Sequence, residues 1–371
     1  MQSTKRAKTR VTPLQIAPLV AALALAACTQ RTSTASIVTD DVATTSTAEA
    51  PPRDGRVILI TIDGARWQDV FEGSDPKFSG APSVPPEQLM PRAHALAATR
   101  GVAIGATRAG CGTVHTAGRS NVSLPGYLEI FTGHASHCLD NACAQVEETV
   151  FDEAARDAQV SVASIGSWEM LSRAVSSGAS GVMTSVGRDW PEAVPVTGHL
   201  AELVDAGRKA NPYPGIDAYR PDGATAAIAL EYLRVNKPAL FHIGLGDTDE
   251  LGHRSDYGGY LAALEQADDM IGAVADILDT MDEDGAKTTV IVTPDHGRNS
   301  DFRDHGVFRP ESGRTFVLAF GRRVAAQGIA CPSHDYTLAD IAPTIRVLMG
   351  LPKDRADGAG RAIDLITEAP K

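Results

Sequence analysis

Three apolar runs in this chain end in acid. Val57 to Ile62 in "RVILITIDG" stops at Asp63-Gly64. The run in "ALFHIGLGDTDELGH" (239–253) leads into Asp247, Asp249 and His253, and that in "TTVIVTPDHGRN" (288–299) leads into Asp295-His296-Gly297. Near-continuous β-branched hydrophobicity, without alternation, is what a central parallel strand covered on both faces requires. In an open α/β sheet ligands sit beyond the carboxyl ends of the strands, so the acids and imidazoles are delivered to one edge. His305 in "FRDHG" follows the Asp295-His296 pair by nine residues, close enough to loop back onto it.

Each of these ends has a local reading when taken singly. Asp-Gly is a turn, an Asp-His-Gly is a helix N-cap beside a core histidine, and Asp249-x3-His253 is an i,i+4 contact on a helix. Their joint occurrence behind apolar strands changes the reading, because mixed aspartate and histidine ligands suit a borderline metal such as Zn²⁺. Helix-compatible and strand-compatible runs alternate along most of the chain, which predicts an α/β class. At 371 residues and 43% hydrophobic, the chain holds one domain of ~300 residues with a large core. Leu261, Leu264, Ile271, Val274 and Ile277 predict a long helix within 256–282 with one face on the sheet. The stretch 194–223 is rich in Gly and Pro and interrupts the pattern; cap material over about 190–223 is expected at the substrate mouth.

The first residues are a different object. Lys5, Arg6, Lys8 and Arg10 precede the short apolar run "PLVAALALAAC" (18–28), the pattern of an export signal and too short for a permanent bilayer span of ~20 residues. Its ending, Leu25-Ala26-Ala27-Cys28, resembles a bacterial lipobox, which implies cleavage after residue 27 and a lipid on Cys28; an ordinary signal peptide with an incidental cysteine is the alternative. Thr29 after the cysteine implies, by the same resemblance, outer-membrane sorting facing the periplasm or cell surface. Residues 28–55 are rich in Thr, Ser and Ala without apolar periodicity and read as a tether to a catalytic domain over 56–366. Losing residues 1–27 removes four positive charges and no acid, taking the net charge from −12 to −16. That charge argues against non-specific binding to nucleic acid or anionic membrane as the role. The membrane partner is then only the one reached through lipid on Cys28.

Four cysteines remain in the body, an even number in an oxidising compartment. Cys138 and Cys143 flank the turn-like "LDNA", which would leave Cys111 to pair with Cys331; three connectivities are possible. The spacings do not resemble a zinc knuckle.

"SNVSLPGYLEIFTG" (120–133) sets hydroxyls at a turn with no histidine base or GxSxG elbow beside them. A serine hydroxyl is a poor nucleophile at neutral pH without a base or a metal. Ser123 at the start of a helix through "LPGYLEIFTG" would add a dipole and free amides that favour an alkoxide and an incoming phosphate. Asn121 is a candidate donor to a phosphoryl oxygen or a capping residue, and Arg108, Arg119 and Arg173 are candidates for meeting a monoester's extra charge.

In order, Asp63, Ser123-Leu124-Pro125-Gly126-Tyr127, Asp249-x3-His253, Asp295-His296-Gly297 and Asp304-His305-Gly306 resemble the alkaline phosphatase superfamily, nearest its phosphodiesterase/nucleotide-pyrophosphatase branch. "LADIAPTIRVLMGLP" (338–352) is similar to a helix shared by sulfatases, cofactor-independent phosphoglycerate mutases and this branch. The resemblance implies a three-layer sandwich, with a mostly parallel central sheet flanked by helices and a small cap. It implies two divalent metals, Zn²⁺ before Mn²⁺. One would be held by Asp63, Asp295, His296 and the Ser123 oxygen, the other by Asp249, His253 and His305. Ser123 would be the nucleophile, with Asn121 beside it, in a double displacement on a small phosphate ester through a phosphoseryl intermediate. The branch usually shows Thr-Phe-Pro-Asn where this chain has Ser-Leu-Pro-Gly, and the cysteine motif that matures to formylglycine in sulfatases is absent, since Cys111 leads into Gly-Thr-Val-His. A phosphotransferase and a non-catalytic metal-binding lipoprotein are the other readings; oligomeric state and ester preference are open.

Overall fold

A computed structural model describes residues 55–143, 147–178, 181–321, 324–354 and 358–368. The export signal, Cys28 and all of the tether but its last residue lie outside the described residues. The strands, in chain order, are β1 Arg56–Ile62, β2 Gly101–Ile104, β3 Val114–His115, β4 Val162–Gly166, β5 Val182–Val186 and β6 Leu240–Leu245. They continue with β7 Thr288–Thr293, β8 Arg314–Thr315, β9 Val317–Gly321, β10 Gly328–Ile329 and β11 Tyr336–Thr337. One sheet runs β10-β2-β9-β7-β1-β6-β4-β5, and β11-β3-β8 form a small second one. In the large sheet β9 alone runs against its neighbours.

The three acid-tipped runs are β1, β6 and β7, and they are adjacent at the centre. In register Thr61 of β1 stands beside Gly244 of β6 and Thr293 of β7, so Asp63, Asp247 and Asp295 leave the sheet at nearly one level. Alternate β1 side chains enter two separate cores, as the pleat demands. Ile58, Ile60 and Ile62 pack with Leu264, Ile271 and Val274 of the helix Tyr257–Asp279 and with Ile228 and Leu233 of the helix Asp222–Asn236. Val57 and Leu59 pack with Ile130 and Phe131 of the helix Ser123–Thr132 and with Ile345 and Leu348 of the helix Ile341–Met349. The result is the helix–sheet–helix sandwich that the resemblance implied, each fully buried aliphatic side chain contributing roughly 2 kcal/mol of burial.

The segment 190–223 divides in two. Its helix Gly198–Lys209 buries Leu200 and Val204 in the outer layer against the helix Asp222–Asn236, whereas the loop that follows brings Tyr219 to the end of β6, where its hydroxyl donates to Asp247 Oδ1 at 2.8 Å. The cysteines pair as Cys111–Cys331 and Cys138–Cys143, one closing a span of 220 residues and the other a six-residue loop. No helix among the described residues is long and apolar enough to cross a membrane.

Candidate active site and metal centre

Asp63 follows β1, and Gly64 after it turns at φ +62°, where a Cβ would stand 2.5 Å from Asp249 Oδ1. Only glycine fits that turn, which lets two acids from different strands approach. The Gly64 amide donates to Asp295 Oδ1 at 3.0 Å. Ser123 is the first residue of a ten-residue helix whose every residue is buried. Its Oγ lies 3.4 Å from Asp63 Oδ1 and 3.2 Å from His296 Nε2. That helix comes this close because of Gly126, where a Cβ would meet the Asp295 carbonyl oxygen at 2.2 Å. His296 Nδ1 donates to its neighbour's carbonyl, Gly297 O, at 2.9 Å, so Nε2 carries the lone pair and faces Asp63 (3.5 Å) and Asp295 (3.4 Å). Burial and the facing carboxylates push Asp63 and Asp295 well above the usual carboxylate range, while burial and nearby His305 push His296 well down.

The second group assembles beside the first. His253 Nε2 lies 3.1 Å from Asp249 Oδ2 and 3.0 Å from His305 Nε2. His305 donates from Nδ1 to the Asn121 carbonyl at 2.8 Å, which again leaves Nε2 free, and its ring stacks on His296 at 3.9 Å. Burial works against an Asp249 carboxylate, yet Arg298, His305 and His253 override it and hold the group well below the usual range. Arg298 is 2% exposed and donates to the Asp249 carbonyl at 2.7 Å and to its Oδ1. Seven predicted residues, Asp63, Ser123, Asp249, His253, Asp295, His296 and His305, are thus brought together.

Asn121 differs from expectation. Its Oδ1 accepts from Thr116 (2.8 Å) and its Nδ2 donates to Arg309 O (3.0 Å), so its side chain braces two loops instead of offering a donor to a phosphoryl group. Its contribution to the site is the backbone carbonyl that orients His305. Arg108 bonds the Ile329 carbonyl, and Arg173 reaches the Asn141 carbonyl at 3.5 Å; neither they nor Arg119 line the cavity at Ser123. That cavity, about 130 Å³, is instead bordered by Asn141, Trp168, Tyr219 and Glu250 as well as by Asp63, Asp249 and His253. Asn141 sits in the Cys138–Cys143 loop, where its Oδ1 accepts from the Leu124 amide at 2.9 Å. Tyr127, in the second turn of the helix Ser123–Thr132, donates to Asp63 Oδ2 at 3.2 Å. Sequence spacing offered no signal for Asn141 or Trp168. Tyr127 was visible within the motif without a role.

The donor set fits divalent cations. Asp63, Asp295 and His296 present ligand atoms within 4.8 Å of one another, as do Asp249, His296 and His305. The buried Oδ2 of Asp295 has no hydrogen-bond partner, and two imidazole Nε2 atoms face each other across 3.0 Å. Buried acids that resist ionisation, packed against one another and against ring nitrogens, are the environment a cation relieves. His296 falls in both groups, and its one free nitrogen points at Asp63, Asp295 and Ser123; His253 lies outside both groups, with its Nε2 against Asp249 and His305.

A family model described as the Metalloenzyme superfamily matches residues 194–353, which hold Asp249, His253, Asp295, His296 and His305. A 2,3-bisphosphoglycerate-independent phosphoglycerate mutase of Archaeoglobus fulgidus is 29% identical over 145 residues, 34% of this chain and 34% of the mutase. The match thus spans about one third of that relative's length. A phosphonate monoester hydrolase of Agrobacterium radiobacter superposes with TM-score 0.52 at 16% identity, covering 85% of this chain and 78% of that one. A lipoteichoic acid synthase of Listeria monocytogenes gives 0.52 at 11%, covering 85% and 76%, and a 2-O GAG sulfatase 0.55 at 13%, covering 85% and 75%. These likenesses are of fold. Over residues 194–353, which carry five of the candidate ligands, the chain is similar to the metalloenzyme superfamily, and it shares the α/β fold of these neighbours.

Proposed function

We propose that this chain hydrolyses phosphate esters with Ser123 as nucleophile and two divalent ions, Zn²⁺ by preference for three imidazoles, held by Asp63, Asp295 and His296 and by Asp249, His253 and His305. The observation that carries the reading is Ser123 Oγ at the first turn of a buried helix, 3.4 Å from Asp63 and 3.2 Å from His296. When bound, the metals supply Lewis-acid stabilisation of the charged oxygens in an in-line displacement. The chain's own part is orientation. Gly64 and Gly126 let the acids and the helix close up, Tyr127 holds Asp63, and Asn121 and Gly297 fix the ring nitrogens of His305 and His296. The helix N-terminus favours the phosphoryl oxygens, and Asn141 borders the place where they would lie. Attack by Ser123 on phosphorus expels the alcohol and leaves a phosphoserine that water then cleaves.

A metal-free Ser123–His296 dyad is disfavoured, because the second His296 nitrogen faces a carbonyl and no carboxylate, while its first faces two acids. The mutase likeness favours one second reading, phosphoryl transfer to an acceptor alcohol. We further propose export and anchoring through lipid on Cys28, with small phosphate esters and not nucleic acids as partners. The test is turnover of p-nitrophenyl phosphate and bis-p-nitrophenyl phosphate by residues 29–371, with metal analysis, a Ser123→Ala control and glycerol as added acceptor. Metal-dependent release of phosphate that Ser123→Ala abolishes supports the hydrolase. Glycerol phosphate as main product moves the assignment to a transferase, and chelator-resistant turnover refutes it.

A further inference from the structure

A second cleft is larger than the one at Ser123. It is open to solvent, offers about 670 Å³ and shares no lining residue with the metal centre. Arg66, Lys77 and Arg314 bring three positive charges to its wall, with Trp67 between them and two carboxylates, Asp75 and Glu311, at its border. Both carboxylates already serve local structure: Asp75 Oδ1 accepts from the Lys77 amide at 2.9 Å, and Glu311 Oε2 accepts from the Ser300 amide at 2.8 Å.

The cations are less well served. Arg66 is 4% exposed, yet its Nε and Nη1 make no hydrogen bond, and its ion pairs to Asp69 (3.5 Å) and Asp75 (3.7 Å) are both longer than hydrogen bonds. Its remaining neighbours are the rings of Phe78 and Phe302, at 5.0 and 5.9 Å. Arg314 lies over Trp67 at 4.4 Å and donates from Nη2 to Gly105 O and Thr107 Oγ1, with its Nε buried and unpartnered. Neither Arg314 nor Lys77 has a carboxylate within ion-pair distance among the described residues; Lys77 donates to the Ser300 carbonyl at 3.2 Å and lies over the Phe78 ring at 5.0 Å. A buried guanidinium left short of acceptors is costly, and a planar fork of donors is matched by a carboxylate, sulfate or phosphate.

We propose that this cavity is a second ligand site, which takes a small organic molecule through an oxyanion placed among Arg66, Lys77 and Arg314. Its volume falls in the range of sites that enclose whole small molecules, well beyond what an inorganic oxyanion fills. The ligand rests on the two loops that also carry Asp63 and His305, since Trp67 follows Asp63 by four residues and Ser300, Pro310 and Glu311 flank His305. Substrate turnover at Ser123 is not a premise of this site.

The experiment is calorimetric titration of the full mature chain, stripped of metal, with benzenesulfonate, whose C–S bond no esterase cleaves, and in parallel with inorganic sulfate. Saturable binding at one site is expected, weakened at least about tenfold, one 1.4 kcal/mol step, by Arg314→Gln and by the exposed Lys77→Gln. Ser123→Ala and Asp63→Asn are expected to leave it unchanged. Benzenesulfonate binding tighter than sulfate identifies an organic ligand. Equal affinities would overturn that part of the proposal and make this a site for free oxyanions. Absence of binding, or binding lost in Asp63→Asn and kept in both cavity variants, would overturn the site itself.

Discussion

Replacing Glu129 with Gln should change how stability depends on pH. Glu129 lies in the helix Ser123–Thr132, wholly buried, and accepts from the amides of Ala117 and Gly118 at 2.6 Å each and from that of Ser136 at 3.4 Å. Burial pushes its pKa from 4.5 up to about 7 against the pull of those three amides. A carboxyl raised in the folded state holds its proton where the unfolded chain has lost it. Its stabilisation is therefore complete below pH ~4.5 and declines as pH rises to about 7, by about 3 kcal/mol at 1.36 kcal/mol per unit. Gln cannot titrate, and its NH₂ would oppose one amide donor, which costs about 1–3 kcal/mol at acid pH. Urea denaturation of both proteins at pH 4.5, 6 and 7.5, disulfides intact, gives the comparison. The advantage of wild type over Glu129→Gln should fall by about 3 kcal/mol from the lowest to the highest pH, closing or reversing. Parallel profiles would refute the argument, because every other titrating group is common to the two chains.

Two further perturbations bear on the site. Gly126→Ala should raise helix propensity by ~1 kcal/mol, yet its Cβ would meet the Asp295 carbonyl at 2.2 Å. A net loss of about 1–3 kcal/mol in a urea melt, with activity down more than tenfold, is therefore expected; a more stable, active variant would contradict the close approach. Asp295→Asn should raise the melting temperature of chelator-treated protein, since it removes a buried acid that raises Asp63 and is itself raised by Asp249, while removing one of the two Zn²⁺ contributions, about 4 kcal/mol per site at a thousandfold excess over Kd in the unmodified chain. Equal Zn²⁺ stabilisation in both chains would remove Asp295 from the ligands.

The sheet centre was legible because strands buried on both faces are predominantly apolar, and after β1, β6 and β7 the first acids, Asp63, Asp247 and Asp295, mark where the sheet ends. The same grammar located Asp63, Asp249, Asp295 and His296, and the loop back of His305 needed only its short separation. Side-chain direction was not legible. Asn121 and Asn141 are both asparagines near Ser123, and only the folded chain shows the first bonded to Thr116 and Arg309 while the second borders the cavity. Arg298 went unremarked because its partner Asp249 is 49 residues away on another strand's end. The helix Gly198–Lys209 was hidden in a Gly- and Pro-rich stretch whose composition suggested a cap; Leu200 and Val204, four apart, are the periodic signal that places it in the outer layer.

The most direct test of the account is chemical capture of the nucleophile. Metal-loaded protein mixed with p-nitrophenyl phosphate and quenched in acid within milliseconds should yield, on peptide mass spectrometry, a single phosphorylated residue at Ser123, with p-nitrophenol released no more slowly than phosphate. Phosphate appearing together with p-nitrophenol in a competent enzyme whose Ser123 is never phosphorylated, and whose Ser123→Ala variant still turns over, would contradict it.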